Sequence, residues 1–113
     1  MQLTTHLKNV RRHARLELRM VRLGALTERA TGAGDDATVA ALEKEAKRRI
    51  AEIAYLGTRI EADLEDHPEW GEITSGLNAA VSAGSRGSKD AKAIMAASVG
   101  ATIGAAAETA TAE

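Results

Sequence analysis

The chain of 113 residues contains no cysteine, no phenylalanine, one proline, one tryptophan and one tyrosine. The absence of cysteine excludes disulfide bonds and thiolate metal sites. Because aromatic rings are nearly absent, Leu, Ile, Val and Met must build the core, and a domain this small gains little stability from burial unless partners add to it. The single proline and the lack of alternating β-branched runs predict an all-α protein.

The N-terminal 20 residues lack the uninterrupted apolar segment of a secretory signal, because charged residues interrupt them every few positions. We therefore expect synthesis in the cytoplasm. The sequence leaves the final location open, including a place in a virion or another large complex.

Charge is distributed unevenly along the chain. Residues 1–30 carry seven Lys and Arg against two Glu, whereas residues 31–72 carry five basic residues against eleven acidic ones. Residues 73–113 carry three of each. The net charge of −1 therefore conceals a strongly polar arrangement. Such segregation favours association between surfaces of complementary charge.

The first 30 residues have the pattern of an amphipathic helix. With Thr4 or Thr5 as its N-cap, this helix is predicted to run to about Ala30. Its apolar residues recur at steps of three and four and form one stripe. This main stripe comprises Leu3, Leu7, Val10, Ala14, Leu18, Val21 and Ala25.

A second amphipathic helix is predicted over roughly residues 37–66, after a turn at residues 31–36 in which Asp35 or Asp36 supplies the N-cap. Pro68 ends this helix, because proline cannot continue the hydrogen-bond ladder. Its apolar stripe comprises Val39, Leu42, Ala46, Ile50, Ile53, Gly57, Ile60 and Leu64. Two long helices joined by a short turn predict a long antiparallel helical hairpin.

The remaining residues, 73–113, predict a short helix over residues 74–83 around Leu77, a joint at residues 84–88 (GSRGS) and a C-terminal helix rich in Ala and Gly. No charge occurs from residue 93 to residue 107, and an uncharged helix is normally buried on more than one side. We expect a single domain in which the hairpin of residues 1–72 and the C-terminal helix pack as a bundle, with a neighbouring subunit completing the cover.

Two groups of residues are candidate oligomer interfaces. The first is a second apolar patch on helix one, about 140° or more around the helix from the centre of the main stripe. A contact with another copy and packing against the chain's own C-terminal segment explain this patch equally well. It comprises Leu16, Met20 and Leu23. The second is a seam of small residues, typical of close helix–helix contact. The alternative interpretations of this segment are a mobile Ala-rich tail and reversible insertion into a membrane. The seam comprises Ala93, Ala97, Gly100, Gly104 and Ala107.

A basic stripe on helix one is the candidate partner-binding surface. It comprises Lys8, Arg11, Arg12, Arg15, Arg19 and Arg22. Arginine suits bidentate pairing with either carboxylate or phosphate. The stripe therefore fits the acidic second helix, an acidic surface of another copy, or nucleic acid, and a simply solvated face remains a further alternative. Membrane contact is not favoured, because the uncharged C-terminal run of about 15 residues is too short to span a bilayer.

The sequence contains almost no recognisable pattern of catalytic residues. His6 and His13 are seven positions apart and His67 is remote, which matches no zinc-binding spacing. Trp70 follows the helix stop and is expected to cover the end of the helical core. We predict no catalytic residue, no metal site and no cofactor.

The function predicted from these patterns is that of a non-catalytic structural or assembly subunit of a larger oligomeric complex, of the virion, secretion or scaffold type. One alternative is a small nucleic-acid-binding or packaging accessory protein that uses the basic stripe of helix one. A second alternative is a membrane-active helical hairpin.

Overall fold

A computed structural model describes residues 2–83 of the chain. Helix α1 spans Leu3–Gly32, α2 spans Asp36–Asp66 and α3 spans Gly71–Ser82, with a short 3-10 helix at Pro68–Trp70 between the last two. Within this part of the chain there is no strand, so the all-α prediction is confirmed for it. The joint at residues 84–88 and the predicted C-terminal helix lie outside the described residues.

Helix α1 begins earlier than its predicted cap. Thr4 and Thr5 lie inside the helix, which starts after Gln2 without a side-chain cap. The backbone N–H of His6 donates to the carbonyl of Gln2 at 3.1 Å. The prediction of a threonine cap was therefore wrong. A side-chain cap contributes about 1 kcal/mol, and burial of His6 and Leu7 in this first turn favours the longer helix.

The turn between α1 and α2 is shorter than predicted, because α1 continues to Gly32. Gly34 has a φ of 69°, in the left-handed region that glycine adopts without steric cost. Asp35 then caps α2, as predicted. Its Oδ1 accepts a hydrogen bond from the backbone N–H of Thr38 at 3.2 Å, and its Oδ2 accepts one from Thr38 Oγ1 at 2.6 Å. The hydroxyl bond, more than the backbone bond, lowers the pKa of the Asp35 carboxyl.

The chain turns sharply after α2, as Pro68 requires. This proline occupies the first position of the 3-10 helix, where its missing N–H costs nothing. Gly71 then begins α3, which puts the start of the predicted short helix a few residues earlier than its sequence pattern indicated.

Helices α1 and α2 pack against each other, and α3 packs against α1. His6 pairs with Asp63, whereas Arg19, further along α1, pairs with Glu45, so the two long helices run in opposite directions. Thr74 in the first turn of α3 also contacts His6. From there α3 runs in the same direction as α1, because its later residues join the core cluster that extends to Ala14.

Helix α1 buries two different faces. The first half of the main stripe packs against α3 and forms the core cluster with Leu77 and Val81. Further along, the buried side chains are instead Leu16 and Leu23, at 3% and 1% exposure. They lie on the same face of α1 as Arg19, whose partner is on α2. These two leucines of the second apolar patch therefore belong to the chain's own core.

The second half of the main stripe is not covered by the described helices. Leu18 is 39% exposed and Val21 is 75% exposed, and Ala25 is exposed as well. The reason is length, because α3 ends at Ser82 after covering only the first half of α1. We call Leu18, Val21 and Ala25 the uncovered stripe.

The apolar stripe predicted for α2 lies along one edge of the contact with α1, where Ile60 packs against the core cluster and Gly57 approaches His13. Leu56 and Asp63 are the buried residues of this helix, whereas Ile50 is 54% exposed. At 100° per residue the predicted stripe lies about a quarter turn from the face that carries Glu45 and Glu52, which bind α1. The ion pairs therefore line the more exposed edge of the α1–α2 contact, beside the buried side chains of Leu16, Leu23 and Leu56.

Candidate functional site

A buried polar network joins all three helices at one end of the molecule. His6 is fully buried, its Nδ1 lies 3.0 Å from Asp63 Oδ2, and its Nε2 lies 2.7 Å from Thr74 Oγ1. The Thr74 hydroxyl donates to the carbonyl of Trp70 at 2.7 Å, so it accepts its bond from the His6 ring. Both ring nitrogens are thus engaged and shielded from solvent. This arrangement holds the helices together and leaves no nitrogen free to exchange a proton with a substrate.

Two aromatic contacts close this network on its outer side. The Trp70 ring lies 5.0 Å from the His6 ring and stacks on the His67 ring, with 3.9 Å between centroids. Trp70 is partly buried, and it covers the end of the helical core where Pro68 redirects the chain. These contacts give the lone tryptophan a structural role.

A shallow groove of about 290 Å³ runs between α2 and α3 with α1 as its floor. Its polar groups include the His13–Glu17 pair, in which Nδ1 and Oε1 are 2.8 Å apart. Its lining consists of Val10, His13, Glu17, Gly57, Ile60, Glu61, Thr74, Ser75 and Asn78. Among residues 2–83 there is no group of three or more His, Asp or Glu side chains that could hold a metal ion.

Two arginines of the basic stripe bind α2. Arg12 donates from Nε to Glu52 Oε1 at 2.8 Å and from Nη2 to Glu52 Oε2 at 3.2 Å. Arg19 forms the same two-bond arrangement with Glu45, at 3.1 and 3.3 Å. Such bidentate pairs are geometrically specific. We call these two pairs the ion-pair seam.

The Arg12–Glu52 pair of the seam shifts the pKa of both its members. The hydrogen bond from Arg12, followed by the attraction of its charge, lowers the pKa of the Glu52 carboxyl. The same hydrogen bond, which the Glu52 carboxylate accepts, raises the pKa of the Arg12 guanidinium. Arg49 adds a third cation, with nitrogen atoms 3.7 Å from oxygens of both glutamates.

The other four members of the basic stripe point away from α2's carboxylates. Lys8, Arg15 and Arg22 are exposed and Arg11 is partly exposed. Within residues 2–83 none of these four side chains has a carboxylate within 4.0 Å. The structure thus divides the basic stripe into two residues engaged with α2 and four that are available to another molecule.

Sequence reasoning missed the His6 network. Its members are separated by 57 and 68 positions, and periodicity along one helix gives no information about such distant partners. Neither His6 nor Asp63 lies on a predicted apolar stripe, so the sequence carried no local signal of their burial. The seam of small residues that begins at Ala93 and ends at Ala107 lies outside the described residues.

Comparison with known proteins gives no relative. No protein family, no curated protein and no solved structure matches the chain. Within residues 2–83, none of the helices is both long and apolar enough to cross a membrane.

Proposed function

We propose that the chain is a non-catalytic structural subunit of a larger assembly, in which copies associate through the uncovered stripe of α1. The observation that carries this proposal is the exposure of Val21 and Leu18, at 75% and 39%. Both continue a stripe whose first half is buried against α3. Large apolar side chains that extend an existing helix contact typically mark a site for another helix.

A second copy of the chain is the occupant that we propose. The uncovered stripe lies along the side of α1 opposite α2 and beyond the end of α3. Around a two-fold axis the same patch serves both subunits, which is the commonest form of homo-oligomer contact. The seam of small residues is a second proposed contact, at Ala93, Ala97, Gly100, Gly104 and Ala107.

The solution mass of the full chain, measured by light scattering, tests this proposal. The expected result is a defined multiple of 11.9 kDa. Val21→Glu is then expected to lower the mass, because it places a charge in the contact. Thr58→Glu is the matched control, since Thr58 is an exposed β-branched residue on α2 and far from the stripe.

Circular dichroism verifies that both variants are folded. A wild-type chain that is monomeric at all concentrations overturns the proposal. Equal loss of mass in the two variants also overturns it, because the stripe would then have no special role.

A further inference from the structure

The free basic residues of α1 face the same way as a second basic row on α2. On α1 the row is Lys8, Arg11, Arg15 and Arg22, with steps of three, four and seven. On α2 the row is Lys44, Arg48, Tyr55 and Arg59, with steps of four, seven and four. These steps keep side chains on one side of a helix. All four α2 residues are exposed, and Tyr55 is 63% exposed although it is an aromatic residue.

The ion-pair seam shows that the two rows share one surface. On α1, Arg15 and Leu16 both lie between Arg12 and Arg19 in sequence. Around the helix they lie on opposite sides of these two arginines, and Leu16 is buried whereas Arg15 is exposed. On α2, Arg48 and Arg49 hold the equivalent positions between the two seam glutamates. Arg49 is the inner residue, bound to both glutamates, and Arg48 is exposed. Arg15 and Arg48 therefore flank the seam on its outer side.

The shared surface carries an excess of positive charge. Within residues 2–83 none of its seven cations makes an ion pair, while Glu45 and Glu52 are already bound by arginine. Acidic side chains collect on the other side, where Glu17 and Glu61 line the groove. Asp66, seven positions after Arg59, marks the end of the positive row on α2.

We propose that this surface, the basic face, binds the phosphate backbone of a double-stranded nucleic acid. Each row is about 21 Å long, and packed helix axes lie about 8–10 Å apart. The basic face is thus a flat pair of rows rather than a channel. A duplex presents about 12 phosphates over 21 Å of its axis. Arginines bind phosphate oxygens in pairs, and the Tyr55 hydroxyl donates one further bond of the kind found at DNA backbones.

Two other polyanions fit the basic face less well. Single strands are held by several stacked aromatic rings, and the two rows contain only Tyr55. Helices that lie on membranes insert a continuous row of bulky apolar side chains next to their cations. Beside the α1 row the exposed ones are Leu18 and Val21, and the α2 row has none beside it, since Ile50 lies on another side of that helix. Recognition by backbone charge alone also predicts no dependence on base sequence.

Binding of a fluorescent 20-base-pair DNA duplex to the full chain, followed by anisotropy between 50 and 200 mM salt, tests the proposal. We expect binding that weakens steeply with salt, because each phosphate contact releases counterions. Arg15→Gln and Arg48→Gln are each expected to lower the affinity about tenfold at 0.1 M salt and to reduce the slope of log K against log salt by about 0.9.

Lys47→Gln is the matched control for Arg48→Gln. Both residues are exposed cations on α2, but Lys47 lies 100° further round the helix, on the side away from α1. We expect this variant to bind as the wild type does. Equal losses in the two variants would show that net charge, rather than the basic face, governs binding, and would overturn the proposal.

The same measurement with a single strand of equal length and with phosphatidylserine vesicles distinguishes the other polyanions. The proposal requires the duplex to bind more tightly than either of them. No duplex binding at 50 mM salt, tighter binding of the single strand, or tighter binding of the vesicles overturns it. Circular dichroism of each variant confirms that losses of affinity do not come from unfolding, since Arg15 and Arg48 are exposed.

Discussion

His6 Nδ1 lies 3.0 Å from Asp63 Oδ2, and this contact fixes the first turn of α1 to the last turn of α2. The two side chains are 0% and 5% exposed, so each depends on the other for its solvation. Sliding α2 by one turn would leave His6 Nδ1 and the Asp63 carboxyl buried without a partner, which is costly. The pair therefore sets the alignment of the two long helices.

Removing one partner of this pair should destabilise the fold strongly. We expect Asp63→Ala to lower the free energy of unfolding by about 3–5 kcal/mol, the usual result of stranding a buried charged partner. Urea denaturation measures the change. Asp66→Ala removes an exposed carboxylate from the same turn and should cost less than about 0.5 kcal/mol. Similar costs for both variants would contradict the structural role of the pair.

Two glycines should respond to alanine with opposite signs. Gly34 has a φ of 69°, so Gly34→Ala is expected to destabilise the protein by about 1–2 kcal/mol. Gly24 lies in the interior of α1, where a Cβ would meet nothing within 4 Å. Gly24→Ala should therefore stabilise it by up to about 1 kcal/mol. Thermal unfolding of both variants measures the two signs, and a stabilising Gly34→Ala would exclude the observed turn.

The Arg12–Glu52 pair should make stability depend on pH. Because the pKa of Glu52 is lowered in the folded state, its contribution is complete above the ordinary value of 4.5 and is lost as pH falls through the lowered value. Arg12→Gln is thus expected to reduce stability at pH 7 and to have no effect in acid. The difference should also shrink at 1 M salt. Arg15→Gln, which removes an unpaired cation, should show no such pH dependence.

The stability cost of replacing each of two leucines on α1 distinguishes the observed core from the predicted main stripe. Leu23→Ala is expected to cost about 2–5 kcal/mol, because Leu23 is 1% exposed. Leu18→Ala should cost less, since Leu18 is 39% exposed. Chemical denaturation at low protein concentration, where copies do not associate, provides the comparison. The reverse order would show that α2 contacts the main stripe instead.

The positions of the helices could be predicted from the sequence more accurately than the contacts between them. Periodicity and the punctuation at Asp35 and Pro68 located α1, α2 and the turn between them to within a few residues. The stripe predicted for α2 covers one edge of the contact with α1. The opposite edge could not be predicted, because the glutamates that bind arginine there look like surface residues in sequence. Likewise, nothing local indicates that α3 ends too early to cover Val21.

Local chemistry by itself determined that Leu3–Gly32, Asp36–Asp66 and Gly71–Ser82 are helical, where α2 is capped and where the chain must turn, since these depend largely on residues close in sequence. The sequence indicated the core side of the first half of α1, and the tertiary structure decided how far each predicted stripe became core. That choice depends on pairs such as His6 with Asp63 and Arg19 with Glu45, which are remote in sequence. It also decided which cations remain available on the basic face, because only the packing of α1 on α2 separates the arginines that are bound from those that are free.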